Sequence, residues 1–99
     1  MGAGSRYRSP LTTGAQYALS VGASVVTLTI PDSANACFIN VKDSPIRFTF
    51  DGTDPTATNG FKGEVGDVVK LESRDEMRLL EMIRESGTAT VDVNYWTEP

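Results

Sequence analysis

The chain has 99 residues, with nine Lys and Arg against thirteen Asp and Glu, and its net charge is −4. This length corresponds to one domain with a modest core. The basic residues are scattered rather than clustered, so a polyanionic partner such as DNA or RNA is not expected. The sequence contains no histidine, which removes the commonest general base and the commonest metal ligand.

Residues 1–13 are rich in Gly, Ser, Thr and Arg and show no core pattern. They predict a flexible N-terminal arm, followed by a domain over residues 14–99. No long apolar stretch follows Arg6 and Arg8, so we expect no signal peptide, and no window approaches the roughly 20 apolar residues of a membrane span. The single cysteine, Cys37, lies in an apolar run, which predicts a buried thiol in a protein that folds in the cytoplasm.

Alternation of apolar and polar residues predicts a series of short strands. These strands are expected over residues 15–19, 25–30, 37–41, 46–50 and 68–71. In the second of them, Val26, Leu28 and Ile30 face one way and the intervening residues face the other. Residues 51–66 are expected to form a long connection that Phe61 holds against the core.

Residues 73–85 fit two structures. Ser73 and Glu76 match a capping box, which marks a helix start, and the apolar residues that follow suit a ten-residue helix as well as a strand. We expect one helical turn near residues 74–77 and then a strand. The reason is that Ser86 and Gly87 supply a hairpin turn directly before a final alternating strand, and that last strand needs a partner.

Short strands at roughly ten-residue spacing, without long helices, are typical of a sandwich or barrel. The sequence therefore predicts an all-β fold, namely a small single-domain β-sandwich of about seven short antiparallel strands. An extended N-terminal arm and one short helical turn complete the expected fold.

Candidates for chemistry have simpler structural explanations. Asp51, Asp54 and Asp43 could offer oxygen ligands to calcium, but their spacing departs from the twelve-residue calcium loop, and Asp-Gly and Asp-Pro are strong turn dipeptides. Cys37 has no histidine to generate its thiolate. We therefore expect a protein that is not an enzyme and that has no catalytic residues, metal or cofactor.

Several residues are candidates for contacts with other proteins. Alternation places Trp96 on the more polar face of the last strand, where it either lies at an interface or covers an edge of the core. Arg47 is opposite the apolar face of its strand and either contacts a partner or belongs to a solvated surface. In the arm, the candidates are Arg6, Tyr7 and Arg8, since an extended arm can add backbone hydrogen bonds to a neighbour's sheet edge.

Several short sequence segments, taken in chain order, resemble those of small structural virion proteins of tailed bacteriophages. The resemblance covers roughly residues 15–96 and contains no catalytic or cofactor motif. The segments on which this resemblance rests are ALSVGA at 18–23, ANA at 34–36, PIRF at 45–48, DGTDPTATNG at 51–60, VGD at 65–67 and TATVDVNYW at 88–96.

This resemblance implies a non-enzymatic, multi-copy component of a virion, located on the capsid surface and folded in the host cytoplasm. The expected role is a capsid decoration or cement protein that binds the major capsid protein and stabilises the particle. Such proteins are often trimers, so a homotrimer is expected. The alternatives are a neck or tail accessory protein, or a carbohydrate-binding module that uses Trp96 and the loop at residues 51–60.

Overall fold

The computed structural model describes residues 11–98, with side chains from residue 14 onward. Its elements are β1 (Leu11–Val21), β2 (Ala36–Lys42), β3 (Ile46–Thr49), β4 (Phe61–Gly63), β5 (Val68–Leu71), α1 (Arg74–Leu79), β6 (Glu81–Arg84) and β7 (Ala89–Thr97). One antiparallel sheet has the strand order β1-β7-β2-β5, and the other has the order β4-β3-β6. The predicted all-β sandwich is confirmed. No helix among the described residues is long and apolar enough to cross a membrane.

The core lies between the two sheets and is organised by strand register. Residues directly opposite each other in a sheet share a face, so the pairing of β2 with β7 brings their apolar residues into matched rows. The inward residues of the larger sheet are Cys37, Ile39, Val41, Leu71, Ala89, Val91, Val93 and Tyr95, and those of the smaller sheet include Ile46, Phe48 and Met82. The alternation in the sequence therefore assigned the inward faces of β2, β3 and β7 correctly.

The predicted hairpin between the last two strands is wrong. β6 pairs with β3 in the smaller sheet, whereas β7 pairs with β1 and β2 in the larger one. Residues 85–88 therefore carry the chain from one sheet to the other. A turn sequence fixes a local change of direction, and tertiary packing decides whether the two strands pair or separate.

This crossing lies against a second one. The turn between β2 and β3 also changes sheets, and the two turns are linked by a hydrogen bond of 3.0 Å from the Glu85 N–H to the Pro45 carbonyl. Gly87 has a φ of +68°, and a Cβ atom there would lie 2.9 Å from the Ser44 Oγ. Gly87 thus supplies both the backbone conformation and the space that the paired turns require.

Residues 25–30 do not form the predicted strand. They make one isolated bridge, in which Val26 exchanges backbone hydrogen bonds of 2.8 and 2.9 Å with Met82 of β6. The predicted faces are nevertheless correct, since Val26, Leu28 and Ile30 pack against the core and the intervening residues are exposed. Side-chain alternation reports burial, but a strand also needs a neighbour along its whole length.

The connection at residues 51–66 contains a strand that the sequence did not indicate. β4 is three residues long and pairs with β3 at the edge of the smaller sheet. Phe61 was expected to hold this segment to the core; its ring stacks on the buried Phe48 at 5.8 Å, although 64% of the residue is exposed. Gly63 lies on the same inward face and is buried, and a Cβ there would lie only 3.0 Å from the Val41 Cγ2.

The helix begins where the capping signal placed it. The Glu76 N–H donates to the Ser73 Oγ at 3.1 Å, while the Glu76 Oε1 accepts from the Glu72 N–H at 3.0 Å rather than from Ser73. The helix ends at Leu79, since Leu80 is extended with φ −64° and ψ 129°. Helical turn followed by strand is therefore correct, because only a strand after Leu80 lets both Leu80 and Met82 be buried.

The start of β1 lies inside the segment that was predicted as an arm. Leu11 and Thr12 pair with Thr97 and Trp96 of β7, so the paired sheet begins before residue 14. Backbone pairing at this end of the sheet cannot be predicted from the pattern of apolar and polar side chains. The remainder of the predicted arm, residues 1–10, lies outside the described residues.

Arg74 fastens the loop between residues 31 and 34 to the start of α1. Its Nη1 donates to the carbonyls of Pro31, Asp32 and Ala34 at 3.0, 3.1 and 2.5 Å. The Pro31 carbonyl also accepts from the Ala34 N–H at 3.1 Å, and the hydrogen bonds from the charged Arg74 are stronger than neutral ones.

Replacing Arg74 with Ala should lower the free energy of unfolding by about 1.5–3 kcal/mol, because the carbonyls lose a charged donor. Chemical denaturation with urea measures this change. Arg78→Ala is the matched control, since Arg78 is exposed and pairs with Asp75 on the same helix; its cost should stay below about 0.5 kcal/mol. Equal costs for the two variants would contradict the assigned role of Arg74.

Gly87→Ala should destabilise the fold by about 1–2 kcal/mol, since a left-handed backbone is costly for a residue with a Cβ atom. Gly22→Ala is the control, because a Cβ at Gly22 would meet nothing within 4 Å. Thermal melting of both variants tests the prediction. A Gly87 variant as stable as the Gly22 variant would show that the crossing turns tolerate a different conformation.

Candidate interaction surface

The outward face of the four-stranded sheet carries an unusual number of aromatic and apolar side chains. Register places Phe38 directly opposite Asn94 on one side and Lys70 on the other. Phe38 is 42% exposed and Val68 is 59% exposed on the neighbouring strand. We call this surface the aromatic face; its members are Tyr17, Phe38, Val68, Lys70, Asn94 and Trp96.

Trp96 forms the floor of the aromatic face. Its ring centroid lies 4.4 Å from that of Phe38 at an interplanar angle of 53°, and the Lys70 Nζ lies 5.7 Å from the centroids of both rings. Only 7% of Trp96 is exposed, and its buried Nε1 has no hydrogen-bond partner among the described residues. The indole thus supports Phe38 and Lys70, which form the accessible surface above it.

Tyr17 extends the aromatic face across β7 to the edge strand β1. Its side chain is 69% exposed, and its hydroxyl lies 3.4 Å from the Asn94 Nδ2, which donates to it. The position of Tyr17 depends on an irregularity in β1, where the register shifts between Gln16 and Leu19 and Ala18 has a φ of +55°. An extra residue of this kind re-aims the side chains beside it.

Asp92 stabilises the irregular part of β1. The Ala18 N–H donates to its carboxylate at 2.7 Å, and the Lys42 Nζ lies 3.1 Å from the other oxygen. These contacts, with the backbone donor of Ala18 first, hold the pKa of Asp92 below its ordinary value. The carboxylate therefore stays charged and keeps both the bulge and Lys42 in place.

The charged groups around the aromatic face are neutralised within the chain. Lys42 pairs with Asp92, and Lys70 lies 3.3 Å from Glu72 and 3.9 Å from Glu98. The result is a group of aromatic and apolar side chains that includes one lysine, Lys70, and whose nearby charges are paired. Interfaces between proteins have this arrangement, with Tyr, Phe and Trp enriched and charges depleted at the centre.

Two of the predicted interaction residues, Trp96 and Arg47, lie in different sheets. Trp96 lies in the aromatic face as a buried support. Arg47 is on the smaller sheet and donates to the Glu85 carboxylate at 2.8 and 2.9 Å and to the Gly60 carbonyl at 3.2 Å. Arg6, Tyr7 and Arg8 lie outside the described residues.

Sequence reasoning missed Phe38 as an exposed aromatic residue of this face. A signal for Phe38 was present, because it alternates with Cys37 and Ile39 and must therefore point away from the core. The orientation of Tyr17 is not specified by alternation, since the irregularity in β1 involves a hydrogen bond between residues that are 74 positions apart in sequence.

The loop at residues 51–60 is built by local hydrogen bonds. The Asp51 Oδ1 accepts from the Thr53 N–H at 3.0 Å, and this bond is the main reason why the pKa of Asp51 is lowered. Thr56 and Asn59 exchange backbone bonds of 3.0 and 3.2 Å. Asp43 lies outside this loop, in the turn between β2 and β3, and its carboxylate accepts a hydrogen bond from the Thr90 hydroxyl at 2.6 Å. No group of three or more Asp, Glu or Cys in the described part of the chain is arranged to hold a metal ion.

Cys37 is fully buried in the core. Burial raises the pKa of its thiol to about 12, with a backbone hydrogen bond from Leu71 opposing the shift and the charge of Glu76 adding to it. The predicted burial is confirmed.

The Cys37 thiol should not react with an aromatic disulfide reagent at pH 8 in the native protein, because both access and thiolate formation are suppressed. After unfolding in guanidinium chloride, one thiol per chain should react rapidly. Absorbance of the released thiolate measures both states. Rapid labelling of the native protein would contradict the packing of Cys37.

Comparison with known proteins adds no family assignment, since no protein-family model, curated protein or solved structure matches this chain.

Proposed function

We propose that this chain is a non-enzymatic structural component of a bacteriophage virion. Its role is that of a multi-copy capsid decoration or cement protein that binds the major capsid protein and stabilises the particle. The sequence resemblance described above supplies the virion context. The observation that carries the proposal is the aromatic face, which offers a partner exposed aromatic and apolar side chains beside a lysine that is paired within the chain.

Three properties suit the aromatic face to docking on a protein shell. Tyr17, Phe38 and Val68 are large, exposed and apolar, and they lie on three different strands of one sheet. The sheet holds the backbone beneath them, so their ordering on binding costs little additional conformational entropy. The pairing of Lys42 and Lys70 within the chain leaves no strong local charge for a partner to neutralise.

A carbohydrate-binding module is supported less well. The predicted sugar surface combined Trp96 with the loop at residues 51–60, but Trp96 lies in the larger sheet and is mostly covered. The loop joins β3 to β4 in the smaller sheet. A single recognition surface made from both therefore has no structural support.

The virion proposal is tested by quantitative mass spectrometry of purified virions, with this chain counted against the major capsid protein. A copy number similar to that of the capsid protein supports decoration of the shell. A number far below it would assign the chain to the neck or tail, and absence from the particle would overturn the proposal. The proposal includes a homotrimer as the assembled form, which light scattering on the purified chain measures independently.

Phe38→Ala should weaken association with virions that lack this chain by at least about tenfold, because truncating an aromatic at the centre of an interface removes its main contact. Co-sedimentation of the purified variant with these particles measures the loss. Val65→Ala is the matched control, since Val65 is also exposed but lies in the turn between β4 and β5. Equal binding by both variants, with both folded by circular dichroism, would exclude the aromatic face as the docking surface.

A further inference from the structure

A second candidate surface lies at one end of the smaller sheet, where three phenylalanines form a cluster. The ring centroids of Phe48 and Phe61 are 5.8 Å apart and stacked, and Phe50 lies 5.3 Å from Phe48 and 5.8 Å from Phe61. Phe48 is buried, whereas Phe61 is exposed beyond the edge of the sheet. Phe48 therefore anchors the cluster in the core, and Phe61 makes its other side accessible to solvent.

An open pocket of about 320 Å³ lies on the accessible side, and we call it the Phe61 pocket. Such a volume is at the small end of the range of ligand sites, about 300–1,000 Å³. Its lining is Thr49, Phe50, Asp51, Gly60 and Phe61. Two phenylalanine rings thus provide most of the apolar wall, and the residue beside them with a charged side chain is Asp51.

Gly60 shapes the wall of the Phe61 pocket. It has a φ of +121°, and a Cβ there would lie 3.1 Å from the Phe48 carbonyl oxygen and 3.4 Å from the Pro55 Cβ. The loop can approach β3 closely only because this residue has no side chain. The close approach is reinforced by the Arg47 Nη1, which donates to the Gly60 carbonyl at 3.2 Å.

The carboxylates near the Phe61 pocket are not neutralised by ion pairs within the described part of the chain. Asp51 lines the pocket, and Glu81 lies directly opposite the lining residue Thr49 in the pairing of β3 with β6. Among the described residues, no ion pair involves Asp51, Asp54 or Glu81, whereas most of the other acidic side chains are paired. The nearby cations are already engaged, since Arg47 and Lys62 both bind Glu85.

The local excess of negative charge is evident in Glu81. One of its carboxylate oxygens, Oε1, is buried and has no hydrogen-bond partner among residues 14–98. A side-chain hydrogen bond with Asp54, together with burial and the charges of Asp54 and Asp51, raises the pKa of Glu81. The pKa of Asp51 is lowered instead, because the hydrogen-bond donors of Thr53 favour the charged form of its carboxylate. A positive group in the pocket would therefore meet a carboxylate that is reliably ionised.

We propose that the Phe61 pocket receives the side chain of a Lys or Arg residue from a partner protein. The cation would lie against the faces of Phe50 and Phe61, where the ring quadrupole attracts it, and would point its donors toward the Asp51 carboxylate. Arg suits this arrangement best, because its planar guanidinium stacks on rings and donates in a fixed fork. The site is separate from the aromatic face and does not depend on the proposed virion role.

The test is an NMR titration of the ¹⁵N-labelled chain with N-acetyl-arginine methylamide, followed through backbone amide shifts. Saturable shifts confined to the amides of the Phe61 pocket are expected. The citrulline analogue, which has the same shape and no charge, should bind at least several-fold more weakly. No saturation below about 100 mM, an affinity worth about 1.4 kcal/mol, would overturn the proposal, as would equal binding of the citrulline analogue.

Substitutions test whether arginine binds in the Phe61 pocket. Asp51→Asn and Phe61→Ala should each weaken arginine binding by about two- to fivefold, the scale of exposed ion pairs and cation–π contacts. Asn can still accept the Thr53 N–H, so the loop should be preserved, and Phe61 is exposed enough that its loss should not unfold the chain. Asp32→Asn removes the same charge at an exposed position elsewhere and is the matched control.

A titration with methyl α-glucoside distinguishes a sugar site from a cation site. Shifts of the same amides with the sugar, and none with arginine, would overturn the proposal and assign the Phe61 pocket to carbohydrate. Equal loss of arginine binding in the Asp51 and Asp32 variants would also overturn it, because the attraction would then reflect net charge alone.

Discussion

The double pairing of β7 is the constraint on which the rest of the structure depends. This final strand lies between β1, which contains the first described residues, and β2, and its inward residues Val91, Val93 and Tyr95 occupy the centre of the core. The larger sheet therefore cannot be completed until the last strand joins it. Contacts so distant in sequence carry a high entropic cost of closure, which burial of the apolar rows must offset.

The same constraint explains how the smaller sheet is positioned. Two of the short turns that carry the chain between sheets lie side by side at Gly87 and Ser44. Segment 22–26 then covers the outer edge of β6 through the bridge between Val26 and Met82. The exposed edge at β4 is short and carries Lys62, which discourages uncontrolled strand addition.

The two candidate surfaces differ in chemistry because they arise from different structural causes. The aromatic face is the outward side of a regular sheet, so its aromatic residues are spread over a supported plane with paired charges. The Phe61 pocket is formed where β3 ends and the three-residue edge strand β4 begins, so Asp51 lies beside the rings of Phe50 and Phe61. A broad, largely apolar surface suits an extended protein partner, and a small acidic pocket suits a single basic side chain.

Much of the fold could be predicted from the sequence, and the errors have a common cause. Alternation identified the buried faces of four segments, including residues 25–30, where no full strand forms. It could not show that β6 and β7 belong to different sheets, since the turn at Gly87 is compatible with both outcomes. Alternation also did not reveal the edge strand β4, where Phe61 stacks on the buried Phe48 yet stays mostly exposed.

The sequence by itself determined the fold class, the helix start at Ser73 and the burial of Cys37, because each depends on neighbouring residues and their period. Only the tertiary structure decided the strand order, the support of Phe38 by Trp96 and the approach of Glu81 to Asp54. These features join residues that are far apart in the chain. Their geometry is set by register and sheet packing, which local sequence patterns do not specify.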